Sequence, residues 1–220
     1  MRRIIAAILW KDLKIELRTK EAFSASFVFS VLVLVIFNFT MDLTSAEALK
    51  LGSGFLWVAF TFAGVLSLNR SFALEKEQNC IQGMLLAPVD RSAIYIAKFL
   101  VNFLFMFVTE LIVLPLFVIF FNVAIERVGV LFLVLCLGTA GFSSVGTLFS
   151  AIAVHTRMRE VMLPVLLLPI TIPVLIAAVE TTAYALGAQE QASFWFKLLV
   201  VYDLVFFTVC FLSFEFVLQE

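Results

Sequence analysis

The sequence predicts an all-helical, polytopic integral membrane protein with six transmembrane helices, and three observations predict it. The 220 residues are 63% hydrophobic and only 14% charged, with 26 Phe and a mean hydropathy of +1.12, whereas a soluble domain is about a quarter charged. Six stretches are long and apolar enough to cross a hydrocarbon core about 30 Å thick, which takes roughly 20 residues of helix. Lys and Arg also alternate between rich and poor loops along the chain. This composition excludes an ordinary soluble enzyme and a nucleic-acid binder, and it excludes disorder, which needs low hydrophobicity. A net charge of −1 sets up no bulk field to recruit an acidic partner. Cys80, Cys136 and Cys210 lack metal-ligand spacing and form no complete disulfide framework.

Residues 1–20 are too polar to span. On a helix, Lys11, Lys14 and Arg18 share one face, while Ile4, Ile8, Leu9, Leu13, Ile15 and Leu17 lie on the other side with Asp12 and Glu16 among them. That pattern predicts an N-terminal amphipathic helix in the interface, its basic face near anionic headgroups. The expected spans are about 22–40, 51–69, 99–122, 128–154, 161–179 and 198–217. The first is too long for a cleavable signal and lacks a small-residue cleavage site.

Twelve basic residues sit on one predicted side: Arg2, Arg3, Lys11, Lys14, Arg18 and Lys20 before span one, Arg70, Lys76, Arg91 and Lys98 between spans two and three, and Arg157 and Arg159 between spans four and five. The alternate loops carry only Lys50, Arg127 and Lys197. The positive-inside rule then places both termini in the cytoplasm.

The longest loop, 70–98, is the most informative. Glu75, Lys76, Glu77, Gln78 and Asn79 are polar, and the apolar run 80–87 stops at Pro88. Asn79 suits an N-cap with Gln82 as its reciprocal partner, and Pro88 ends the short helix. Asp90, Arg91 and Ser92 restart a helix into span three. Ile81, Met84 and Leu85 at helical spacing either touch lipid or dock into a groove on a cytoplasmic partner; spacing leaves both open.

Within the spans, Glu110 costs roughly 2.5–3.5 kcal/mol at the bilayer centre, so it is expected either to carry a proton or to face the bundle or a subunit interface. Asp203 is expected near the outer end of span six, solvated at the interface, and Glu215 to snorkel to water at the other end. Span five holds Pro164, Pro169 and Pro173, which predicts either a structural kink or a hinge or re-entrant segment that moves. In span four, Gly138, Gly141 and Gly146 with Ser143, Ser144 and Ser150 allow close helix approach, against another subunit or within the chain. His155, the one His, reads as a capping or interfacial residue rather than a cofactor ligand. No nucleophile–base pair and no Walker A glycine loop is present.

Three stretches carry a family resemblance: GFLWVAFTFAGVLSLNRSF at 54–72, MLLAPVDRSAIYIAK at 84–98 and LPVLLLPITIPVLIAAVE at 163–180. The chain resembles the membrane subunits of ABC-2 type exporters. More closely it resembles the haem exporter protein B (CcmB) family, the permease of the cytochrome c maturation ABC transporter, over essentially its whole length. The resemblance implies one permease domain over 1–220, in the bacterial inner membrane, with no catalysis of its own. It implies a soluble CcmA-like ATPase that supplies ATP hydrolysis and docks on a short coupling helix, its contacts falling on Glu75, Glu77, Gln78, Asn79, Ile81, Gln82, Met84 and Leu85. It further implies a CcmC-like haem-handling membrane subunit, a small accessory subunit and a second copy of the chain as partners. It implies, too, that the ATP-driven work is linked to haem delivery through the complex or to release of the haem-loaded chaperone, with no cofactor bound directly by this chain and no nucleic acid involved. The family's Gly, Ser or Thr, Leu-Glu run is here Asn79-Cys80-Ile81-Gln82, so an acidic contact is neutral. The two Gly that follow a basic pair after span four are here Arg159 and Glu160. A permease exporting a lipid or drug-like substrate, a non-transporting scaffold and a proton-coupled carrier built on Glu110 are the rival readings.

Overall fold

The computed structural model describes residues 2–40, 46–72, 90–154, 156 and 158–217. Among these residues there are seven helices and no strand: α1 (Arg2–Thr19), α2 (Glu21–Thr40), α3 (Ala46–Ser71), α4 (Arg91–Phe121), α5 (Val128–Ala153), α6 (Arg159–Ala185) and α7 (Ser193–Val217). The last six are each long and apolar enough to cross a membrane. The proposed coupling helix, Asn79 with its cap, Cys80, Pro88, His155 and Arg157 lie outside the described residues.

Helix ends follow local chemistry. Lys20 takes a left-handed conformation (φ 55°) between α1 and α2, so the chain turns there instead of continuing as one rod. Asn122 (φ 48°) ends α4, and Asn is among the few non-Gly residues that adopt this conformation readily. Gly187 (φ 81°) ends α6 with the paired bonds of a Schellman motif, Ala188 N–H to the Ala183 carbonyl at 2.9 Å and Gly187 N–H to that of Tyr184 at 3.2 Å.

The helices are longer than the apolar runs. α4 starts at Arg91, eight residues before the expected span, because Lys98 is taken into the protein rather than left at its edge. α6 continues to Ala185, past the expected end at 179, because Glu180 is met by Lys50 at 2.8 Å and also accepts a hydrogen bond from Gln189. α7 starts at Ser193 instead of 198.

α5 is the centre of the bundle, packed by α3, α4, α6 and α7. α2 lies outside on α3 and α4, and α1 lies along α4. Spans consecutive in the chain run antiparallel, so α2 and α4 run parallel. Asn38 donates to the Phe120 carbonyl at one end (2.5 Å), and Arg70 pairs with Glu21 at the other. Much of the Phe content is structural: Tyr95, Phe99, Phe103 and Phe107 form a ladder along α4. Its lower rungs meet Phe207 and Phe214 of α7 at ring distances of 5.1 Å.

Candidate functional site

Glu110 is buried (2% exposed) and faces the bundle. The Thr139 hydroxyl of α5 lies 2.8 Å from Oε1 and 2.6 Å from Oε2. Ser26, Phe60, Gly64 and Met106 close a narrow crevice beside it. Of the expected placements the bundle-facing one holds. One hydroxyl supplies one hydrogen, and an unmet buried polar group costs about 1–3 kcal/mol. Thr139→Val is therefore expected to destabilise the protein by about that amount, while Glu110→Gln, which keeps an acceptor for Thr139, has the smaller effect. Thermal unfolding in detergent micelles, followed by size-exclusion chromatography, checks both.

Asp203 departs from expectation. Both carboxyl oxygens are buried, with no hydrogen-bond partner among the described residues, so it is not solvated at the interface. It packs over the α5 backbone at Gly141, where a Cβ would meet its Oδ1, together with Val174 and Tyr202. Lys197 is exposed and makes no ion pair with it.

The small residues of α5 face inward, not toward another subunit. Gly138 lies under the Trp57 indole, Gly146 against Leu68, and Ser150 donates to the Leu68 carbonyl at 2.6 Å. Trp57 Nε1–H donates to Thr182 Oγ1 at 2.9 Å, and Asn102 Nδ2 to Thr147 Oγ1 at 2.9 Å. Tyr95 O–H reaches the Ser144 carbonyl at 3.1 Å. All three stretches that carry the family resemblance thus contribute side chains to the packing around α5.

α6 is one continuous helix through Pro164, Pro169 and Pro173, which rules out a re-entrant segment. Pro169 and Pro173 lie on its exposed face. Hydroxyl groups bond carbonyls within this stretch: Thr171 donates to Leu167 (3.0 Å), and Tyr202 of α7 to Ile170 (3.1 Å). Neighbouring side chains commonly support proline-bearing membrane helices in this way.

At the end of the bundle that carries α1, Lys98 is 2% exposed. Its Nζ lies 2.9 Å from Asp12 Oδ2, donates to the Ser71 carbonyl at 2.8 Å and sits 5.0 Å from the centre of the Phe72 ring. Glu16 accepts from the Phe23 N–H at 2.9 Å, capping α2, where the helix dipole favours an anion. The two acids that interrupt the apolar side of α1 therefore dock it. Trp10 is 70% exposed on its outer side. Arg91 donates to the Glu215 carbonyl at 3.2 Å. Ser71 and Phe72 before residue 73, and Arg91 after residue 89, lie here beside α1 and the end of α7. At the opposite end Arg127 donates to the Tyr184 carbonyl at 2.6 Å and lies over the Tyr184 ring at 4.3 Å, a cation at a helix C-terminus.

A six-span helical bundle with an interfacial N-terminal helix, buried acids and apolar outer faces defines a multi-pass membrane protein. The family model described as CcmB protein matches residues 3–218. The chain belongs to the CcmB family. It is 28% identical over 174 residues to heme exporter protein B of Rhodobacter capsulatus, covering 79% of this chain and 80% of that protein. It is 28% identical over 176 residues to the heme exporter protein B of Pseudomonas aeruginosa, covering 80% and 79%. The protein of the same name from Bradyrhizobium diazoefficiens is 24% identical over 201 residues, covering 91% and 90%.

Proposed function

We propose that this chain is the non-catalytic membrane permease subunit of a haem-export ABC transporter of the cytochrome c maturation type. In this reading it couples a partner ATPase to haem delivery, or to release of a haem chaperone, across the bacterial inner membrane. The observation that carries the reading is the family match over nearly the whole chain, with relatives named heme exporter protein B. Both termini lie in the cytoplasm, following the alternation of basic residues. Two of the three bases on the other side, Lys50 and Arg127, hold specific partners on α6, which accounts for their presence there.

The ATPase contact is assigned to Glu75, Glu77, Gln78, Asn79, Ile81, Gln82, Met84 and Leu85. What supports it is the anchoring of the flanks. Ser71 and Phe72 are tied to Lys98 of α4, and Lys98 to Asp12 of α1, so a displacement of this loop acts on three helices together. α3 and α4 in turn pack on α5. Pro164, Pro169 and Pro173 are the candidate hinge in that motion.

The test is affinity purification of the tagged protein in mild detergent, with subunits identified by mass spectrometry, for the wild type and for Ile81→Asp/Met84→Asp/Leu85→Asp. The expected result is an ATPase and a haem-handling membrane protein with the wild type, and loss of the ATPase alone in the triple variant. A wild type that retains an ATPase but no haem-handling subunit moves the reading to a general exporter. A wild type that never retains an ATPase overturns it.

A further inference from the structure

A cavity of about 670 Å³ opens between α1, the start of α2, the end of α3 and the middle of α4. That size is typical of small-molecule sites, which range over about 300–1,000 Å³. Its lining is of two kinds. Ile8, Ile15, Val101 and Phe105 form apolar walls. Around them stand three bases, Lys11, Arg18 and Arg70, and three acids, Asp12, Glu16 and Glu21.

Most of these charges already have partners. Lys11 and Lys98 both meet Asp12, and Arg70 meets Glu21. Glu16 uses Oε1 on α2. Arg18 is exposed and has no ion pair or hydrogen bond among the described residues. The site thus presents a cation and a carboxylate beside an apolar wall, at the level where α1 meets the spans.

We propose that this cavity binds a zwitterionic phospholipid of the ethanolamine class. Its phosphate lies against Arg18, its ammonium against Glu16, and an acyl chain runs along Val101 and Phe105. Arg18 and the second carboxyl oxygen of Glu16 decide the class. A phosphate and an ammonium joined by a short link meet both, and a primary ammonium donates hydrogen bonds to a carboxylate where a quaternary one has no N–H to give. The apolar walls call for a chain on the headgroup, so a membrane lipid fits better than a free phosphoethanolamine. A lipid there would wedge α1 against α3 and α4, making α1 docking dependent on the lipid present. The inference is independent of what the protein transports.

The experiment is native mass spectrometry of the full-length protein in mild detergent, with phosphatidylethanolamine, phosphatidylglycerol and phosphatidylcholine added in turn. The wild type is expected to retain one phosphatidylethanolamine in preference to the other two. Arg18→Gln removes a charge-assisted hydrogen bond and is expected to lower that retention by about tenfold or more. Ala7→Trp, from an exposed position on the cavity rim, is expected to abolish it by filling the space. Lys14→Gln, exposed on α1 and outside the cavity, retains lipid as the wild type does. Equal retention in all four proteins overturns the proposal, as does a preference for phosphatidylglycerol or retention of phosphatidylcholine equal to that of phosphatidylethanolamine.

Discussion

Gly138→Leu is expected to abolish recovery of folded protein, and Gly138→Ala to cost about 1–3 kcal/mol, the usual range for overpacking a filled core. The position lies at the centre of the bundle, under the flat of the Trp57 indole. A Cβ there would meet Cη2 of the ring, with Cζ3 and Cζ2 at 2.9 and 3.0 Å. The ring has nowhere to go. Trp57 is 3% exposed, its N–H is held by Thr182, and Phe60 stands edge-on to it at 5.8 Å. Moving the indole would break the bond to Thr182, which is itself fully buried. Gly129, near the start of the same helix, has nothing within 4 Å of its would-be Cβ, and Ala is the better helix former. Gly129→Ala should therefore be neutral or stabilising. Comparing the two alanine variants by thermal unfolding isolates the steric effect, and equal stability of the pair would refute this account of α5.

The number of spans, their approximate limits and the amphipathic first helix were legible in the sequence, because each rests on a periodicity or a run of apolar residues that needs no partner to be recognised. Glu110 stood out for the same reason: a charge in an apolar run is conspicuous. What escaped was pairing across the bundle. The Gly and Ser residues of span four signal close approach, but the pattern is the same whether the approaching helix is in this chain or another. Only the positions of Trp57, Leu68 and Asp203 assign it to this chain. Asp203 lies ten residues inside α7, and sequence cannot tell that Gly141 leaves a backbone surface for it. The ends of α4 and α6 were missed because Lys98 and Glu180 looked like boundary charges, while their partners, Asp12 and Lys50, are distant in sequence. The acids on the apolar side of α1 were the one available clue to that docking.

Asp12→Ala is expected to cost about 3–5 kcal/mol, the range for leaving one member of a buried ion pair without the other. Lys98 is 2% exposed and Asp12 10%, so little water reaches either to compensate. The Ser71 carbonyl and the Phe72 ring remain beside the ammonium in that variant. Lys98→Met should cost less than Asp12→Ala, because Lys11 still meets Asp12 at 3.0 Å from a more exposed position. The double variant Asp12→Leu/Lys98→Met replaces both charges with apolar groups of similar bulk and should regain most of the lost stability, since buried pairs often give way to packed apolar residues without penalty. A thermal-unfolding double-mutant cycle measures the coupling. Limited trypsin digestion reports the consequence for α1, whose Lys14 and Arg18 should be cut faster in Asp12→Ala and at the wild-type rate in the double variant. If the single variants simply add, Lys98 and Asp12 do not hold α1 to the bundle. A strong coupling with protected α1 in the double variant makes this pair the clasp between the N-terminal helix and the two spans that flank the 73–89 segment.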